Sequence, residues 1–231
     1  MQSSTMINRT HNLDTDYFNN IDTQEKAYWL GFIWADGCIS KTSPRCSGPN
    51  RLRIAQKWNE RQHLELFNAT IKADYQIKQI RHPNNKLVAQ IDINCRPLCK
   101  SLQNLGYDVK TKRTNIPIIR NDLIPHFIRG YFDGDGSLSL YTQRIKKWTV
   151  LKQEWSITGN KVLMHEIKAI LTKDADVTPT VQLKHYKRSP DTASIRYGKK
   201  SDIHALYKYL YTNATVYLPS KHEKFMEFFS R

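Results

Sequence analysis

One pattern occurs twice in this chain. Residues 28–40 read YWLGFIWADGCIS and residues 127–139 read FIRGYFDGDGSLS. Each is an apolar stretch with a small residue every four positions, and each ends in Asp-Gly. Asp36 and Asp135 stand 135 − 36 = 99 residues apart in a chain of 231. A long-period match of this kind means one supersecondary unit built twice, so the fold must accommodate two like halves.

The stretches downstream of the two segments correspond as well. After the first come strand-like RLRIAQKW (51–58), a helical pattern over 59–74, strand-like YQIKQIR (75–81) and KLVAQIDIN (86–94), and a helical pattern over 96–106. After the second come strand-like 137–144 and 151–158, a helical pattern over 160–171, strand-like 181–188 and 192–198, and a helical pattern over 201–211. Period-2 alternation marks the strands and 3.6-type spacing marks the helices. The expectation is an α+β fold of two pseudo-symmetric αββαββα repeats. Residues 1–23 form an N-terminal extension, 24–114 the first repeat, 115–125 a linker and 126–231 the second repeat. Gly106 suits the C-terminal cap of the first unit. Turns are expected at 83–86 (PNNK) and 189–191 (SPD). Pro117 and Pro125 are expected to interrupt regular structure between the halves.

Read as helices, the paired segments align Gly31 with Ala35 on one face, and Gly130 with Gly134. A glycine costs a helix about 1 kcal/mol relative to alanine, so two in one short helix need a reason. Small residues let helices approach closely. The simplest reading packs the two helices on each other in parallel. That brings Asp36 and Asp135 together at helix C-termini, where the dipole is negative and the two acids repel. Such a pair needs a cation. Hard oxygen ligands with open positions suit Mg²⁺, with Mn²⁺ as a substitute, and a metal between carboxylates and a phosphate can activate water.

Charge points the same way. Lys and Arg total 36 against 21 Asp and Glu, a formal net charge of +15. An excess that large favours a polyanionic partner. No apolar run approaches the ~18 residues of a membrane span, and the N-terminus lacks the apolar core of a secretion signal. The expected setting is intracellular: bacterial or phage cytoplasm, or an organelle. Cys38, Cys46, Cys95 and Cys99 do not form the close pairs of a zinc knuckle and are expected to be reduced core thiols.

WLGFIWADG (29–37) and IRGYFDGDG (128–136) resemble the nine-residue motif of LAGLIDADG homing endonucleases. The second is the closer match; the first has Trp34 where the family often has an acid, and Cys38 where Ser is common. The last acid, which the family uses for metal, is present in both as Asp36 and Asp135. The resemblance extends from about residue 24 to 230. It implies a lysine-type residue near the metals late in each repeat, a role that falls on Lys112 and Lys221. Gln56 matches a family position that organises water beside the metals. Its counterpart is Gly159, so that role is expected in one half only.

A half-buried strand alternates its faces. With Leu52 and Ile54 inward, Arg51 and Arg53 face out. Ser139, Tyr141 and Gln143 face out opposite Leu138 and Leu140, as do Glu154 and Ser156 opposite Trp155 and Ile157. Lys184, Tyr186 and Arg188 share a face, and Ser40 and Thr42 lie just beyond the first motif. These sets are expected to read base edges in a major groove, with two faces forming a saddle along double-stranded DNA. Unlike side chains in the halves imply a non-palindromic site. The expected function is a monomeric, metal-dependent endonuclease cutting both strands. An RNA maturase, with intron RNA as partner, is the alternative on the same scaffold. A regulator without cleavage is disfavoured because neither acid is lost. A self-splicing intein is disfavoured by the Met start and the Phe-Phe-Ser-Arg end.

Overall fold

Thr23 opens the first helix: its side chain accepts a hydrogen bond from the Lys26 N–H at 3.3 Å, satisfying a donor that the first turn leaves free. Helix α1 then runs Gln24–Asp36, buried from Ala27 to Ala35 on every side. A helix apolar all round belongs in the middle of a molecule. Its counterpart α4, Ile124–Asp135, is buried from Phe127 to Asp133. Both are followed by a glycine in extended conformation, Gly37 and Gly136, from which the chain passes directly into a strand. The computed structural model describes residues 11–83, 85–108, 113–145 and 147–231.

Two four-stranded antiparallel sheets flank this helix pair. The first joins β1 (Gly37–Ser40), β2 (Arg51–Lys57), β3 (Lys78–Arg81) and β4 (Leu87–Asn94) in the order β1-β2-β4-β3. The second joins β5 (Gly136–Ile145), β6 (Trp148–Asn160), β7 (Lys184–Tyr186) and β8 (Ser189–Tyr197) in the order β5-β6-β8-β7. Register repeats as well: Gly37 pairs with Ile54, and Gly136 with Ile157. The remaining helices are α2 (Arg61–Thr70), α3 (Arg96–Asn104), α5 (Lys161–Asp174), α6 (Lys200–Tyr211) and α7 (Pro219–Phe229). Inward side chains such as Leu52, Ile54, Ile91, Trp155, Ile157 and Ile195 join the central helices in one continuous core.

The expected α+β architecture of two like halves is what the chain forms, with differences of detail. Strand β1, only four residues long, is the strand that the αββαββα order requires in the first repeat but to which the pattern assigns no residues, and α7 is an additional helix with Pro219 in its first turn, where no N–H is needed. Pro125 likewise stands in the first turn of α4, where no N–H is needed, and does not interrupt structure. Gly106 does close α3: at φ 101°, its N–H bonds to Gln103 O while Tyr107 N–H bonds to Leu102 O. The second hairpin turns at Lys187 and Arg188, not at 189–191, so Arg188 leaves the strand and sits in the turn. Pro190 is tolerated in β8 because that stretch has run beyond β6, whose pairing begins at Thr192. None of the four cysteines is in a disulfide, and only Cys95 and Cys99 are core thiols; Cys38 is exposed because β1 alternation turns Ile39 inward, and Cys46 lies half-buried in a loop.

Candidate active site

The central helices cross where their side chains vanish. A methyl group on Gly31 would overlap the Phe127 carbonyl oxygen and come within 2.8 Å of its carbon. A methyl group on Gly130 would overlap the Tyr28 carbonyl oxygen and lie 2.8 Å from Phe32 N. Further along, Gly134 faces Ala35 and Asp36. Contacts advance together along both chains, so the helices run parallel and end side by side. Gly31, Ala35, Gly130 and Gly134 therefore line the interface, as their spacing predicts.

Parallel ends bring Asp36 and Asp135 together. Burial, then the charge of Asp135, pushes the Asp36 carboxyl up to about 7, against the pull of Gln56, Lys221 and Arg113. The Asp135 carboxyl opens to solvent, yet the protein packed around its other sides raises it too, while Arg113 and Lys221 pull it down. Gln56, on β2, donates from Nε2 to Asp36 Oδ2. Its register equivalent on β6 is Gly159, two residues past Ile157 as Gln56 is two past Ile54. There the Tyr131 hydroxyl takes the space a side chain would need, donating to Thr158 O at 3.4 Å. The result is a cleft of about 580 Å³ beside Asp135, lined by Trp34, Arg113, Tyr131, Gly159 and Asn160 among others.

Each helix end also meets a cation. Arg113 Nη1 donates to three carbonyls of the α1 terminus: Ile33 at 3.0 Å, Ala35 at 3.1 Å and Gly37 at 2.8 Å. Lys221, in the first turn of α7, donates from Nζ to the Gly136 carbonyl. A positive group at a helix C-terminus opposes the negative end of its dipole. Lys221 thus stands close enough to Asp36 and Asp135 for its charge to act on both. Lys112 lies outside the described residues, and Arg113, its neighbour, is the described cation at the first site. Sequence reasoning missed Arg113 because lysine is the expected type; its closeness to the Pro117 segment was the available signal.

The outward sheet faces carry polar side chains. Ser40, Arg51 and Arg53 share one with Cys38, Gln90 and Asp92. Arg51 donates to Ser40 Oγ at 3.2 Å, and Arg53 Nε to Asp92 Oδ1 at 2.7 Å. Lys78 Nζ lies 3.6 Å from Asp92, which resolves the 75–94 hairpin, whose alternation alone is ambiguous. Thr42 stands outside the strands and closes the 41–50 loop through Asn50. In the second sheet Ser139 pairs with Glu154, Tyr141 with Lys152, Gln143 with Val150, and Ser156 with Arg196. Lys184 and Tyr186 join this face through Ser194. Arg196, 3.2 Å from Glu154, went unnoticed although Ile195 and Tyr197 alternate around it. Among the described residues no group of three or more His, Cys, Asp or Glu side chains gathers as a metal site. No helix of the described residues is long and apolar enough to cross a membrane.

Solved structures share this fold. The LAGLIDADG homing endonuclease I-SmaMI bound to cleaved DNA aligns over 90% of this chain and 88% of its own at 14% identity, TM-score 0.58. The meganucleases I-CpaMI and I-AabMI, both bound to uncleaved DNA, align with TM-scores 0.57 and 0.59 at 12% and 13% identity. They cover 91% and 88% of this chain, and it covers 90% and 88% of theirs. The chain has the two-repeat fold of the LAGLIDADG homing endonucleases. A replication factor C small subunit from Methanocaldococcus jannaschii is 30% identical over 132 residues, which is 54% of this chain but 7% of that protein. No family model matches the sequence.

Proposed function

We propose that this protein is a site-specific DNA endonuclease that hydrolyses both strands of a long, non-palindromic duplex. The observation that carries this reading is the meeting of Asp36 and Asp135 at the parallel ends of α1 and α4, each helix end held by its own cation. The fold it shares with DNA-bound endonucleases supports it. Two acids from one chain make the working unit a monomer. Two polar sheet faces flank them, and a net charge of +15 draws the duplex to those faces through its phosphates.

The donor set fits a hard divalent cation. Two carboxylates, desolvated and mutually repelling at negative helix ends, are stabilised by a positive ion between them, and two ligands leave room for water and phosphate oxygens. Asp36 and Asp135 would hold Mg²⁺, which Mn²⁺ could replace, and the ion would supply charge neutralisation at the scissile phosphate and a more acidic water. Gln56 restrains Asp36 and offers its carbonyl oxygen to a water on that side. Arg113 and Lys221 supply positive charge on either side of the acids without competing as ligands.

Cleavage of a randomised duplex library with Mg²⁺ finds the target. On that target, Asp36→Asn with Asp135→Asn abolishes cutting while binding persists, because both acids repel phosphate. The expected loss exceeds the roughly 100-fold typical of groups that only orient a metal ligand. Parental cutting by the double variant would overturn the assignment.

A further inference from the structure

The two motifs differ in chemistry two residues before the shared acid. The first has Trp34 there and the second Asp133. A tryptophan and an aspartate have no side-chain chemistry in common beyond the capacity for a hydrogen bond. Both are buried, and each uses that capacity on the same part of its repeat. The Trp34 indole N–H donates to the Asn115 carbonyl at 3.1 Å. Asn115 stands two residues after Arg113, the cation on the α1 terminus. Asp133 Oδ2 accepts the Leu218 N–H at 2.7 Å. Leu218 precedes α7, and its carbonyl accepts from the backbone N–H of Lys221 at 3.0 Å. Lys221 is the cation on the α4 terminus.

We infer that Trp34 and Asp133 are positioning residues for the two cations: each ties down the backbone that delivers Arg113 or Lys221 to the carbonyl beyond the neighbouring acid. The polarity is reversed between halves. The first segment offers a carbonyl and meets a donor; the second offers an N–H and meets an acceptor. A backbone group turned into the protein without a partner is costly, so each bond helps hold its segment's register, beside the Ile116 N–H on Glu166 in the first half and Arg129 on the Val216 carbonyl in the second. This explains why the first motif carries no acid at this position: a carboxylate there would face the Asn115 carbonyl oxygen. The geometry stands by itself; its effect on rate rests on the cleavage reading.

Packing offers the competing account, since the Trp34 ring meets Tyr107 and Phe127 with centroids 5.5 and 6.1 Å away, and Asp133 also accepts from Tyr28 and Tyr211. Trp34→Phe separates the two because it keeps an aromatic ring and removes only the N–H side. Two readouts are needed. Arginine side-chain ¹⁵N NMR reports whether rotation of the Arg113 guanidinium is hindered, and needs no DNA. Single-turnover cutting of a supercoiled plasmid carrying the target resolves nicked from linear product. In Trp34→Phe the separate Arg113 Nη signals are expected to merge. One strand is expected to be cut about 10- to 100-fold more slowly at unchanged DNA affinity, the range for groups that orient an active-site partner. Adding Trp34→Phe to Arg113→Met should cost nothing further. In the other half Asp133→Asn, which keeps an acceptor for Leu218, should restore most of what Asp133→Leu loses. Unchanged Arg113 signals in Trp34→Phe, or losses that multiply in the double variant, overturn the inference. If the parent cuts no DNA while Trp34→Phe still frees Arg113, the endonuclease reading fails and the positioning role stands.

Discussion

Gly31 rests against the carbonyl oxygen of Phe127, with no room for even a methyl group between them. Gly130 repeats the relationship with Tyr28 from the other helix. Replacing glycine by alanine inside an isolated helix is favourable by about 1 kcal/mol. Here the sign reverses, because the obstacle is backbone and cannot rotate away. Gly31→Ala and Gly130→Ala should each destabilise by at least the 1–3 kcal/mol roughly typical of overpacking. For a chain of this length each kcal/mol lowers Tm by about 2–4 °C. Gly48→Ala, with open space around it, should leave the melting curve unmoved. Thermal denaturation of the three variants checks the order.

Gln56 and Gly159 make the two acids unequal partners. Asp36 is held by an amide; Asp135 faces a cleft in its place. Gln56→Leu should slow cutting of one strand by roughly 10- to 100-fold and leave the other strand near its parental rate. The signature is a nicked circle that accumulates before linear DNA. Equal slowing of both strands would mean that Gln56 does not serve Asp36 alone.

Arg53 is expected from alternation to read a base, and in the structure it is already engaged by Asp92, 2.7 Å away, with Lys78 on the same carboxylate. An arginine so held is pre-oriented for a bidentate contact. Arg53→Ala should then relax preference at one base pair, worth about 1–3 kcal/mol between right and wrong bases. Asp92→Asn should blur the same position without removing the charge. Binding to a panel of single-base variants at two salt concentrations measures both. Uniform weakening at every position would make Arg53 a phosphate contact.

The helix pair, the acids and the sheet faces were legible because each rests on a spacing: four residues for the glycines, two for the strands, 99 for the repeat. What did not show was set by long-range contact. Arg113 reaches α1 from 76 to 80 positions away, a contact that no spacing along the chain encodes. Asp133 reads as a second motif acid, but its partners Tyr28, Tyr211 and Leu218 come from three separate segments. Arg188 sat in phase with Lys184 and Tyr186, yet the chain turns before reaching it, since alternation says which face a residue takes but not where pairing stops.

His63 provides a test that involves no DNA. Its Nε2 lies 2.7 Å from the Tyr28 hydroxyl, which donates onward to Asp133, so the ring nitrogen is the donor to Tyr28. The rings of Trp29 and Phe32 close over it, and burial pushes its pKa down to about 3. In the unfolded chain a histidine titrates near its ordinary value of about 6.5. Between those values the unfolded state binds a proton that the folded state refuses, so stability rises with pH across this window. The contribution of a neutral His63 is complete above the unfolded value and is lost as pH falls towards 3. Asp133 works the other way: burial first, against its hydrogen bonds, raises it to about 6, so the folded state holds a proton more readily there than the unfolded chain. A direct melt of the parent protein therefore mixes opposing slopes. Comparing it with His63→Gln, which can still donate to Tyr28, isolates the histidine. At pH 7 the variant should be the less stable of the two or equal to the parent. On going to pH 5 the parent should lose about 2 kcal/mol more than the variant, the cost of roughly 1.5 pH units of refused protonation at 1.36 kcal/mol each. Urea titrations of both proteins at the two pH values measure the difference. Parallel losses would mean that His63 takes up its proton in the folded state, and that its ring is not sealed behind Trp29 and Phe32.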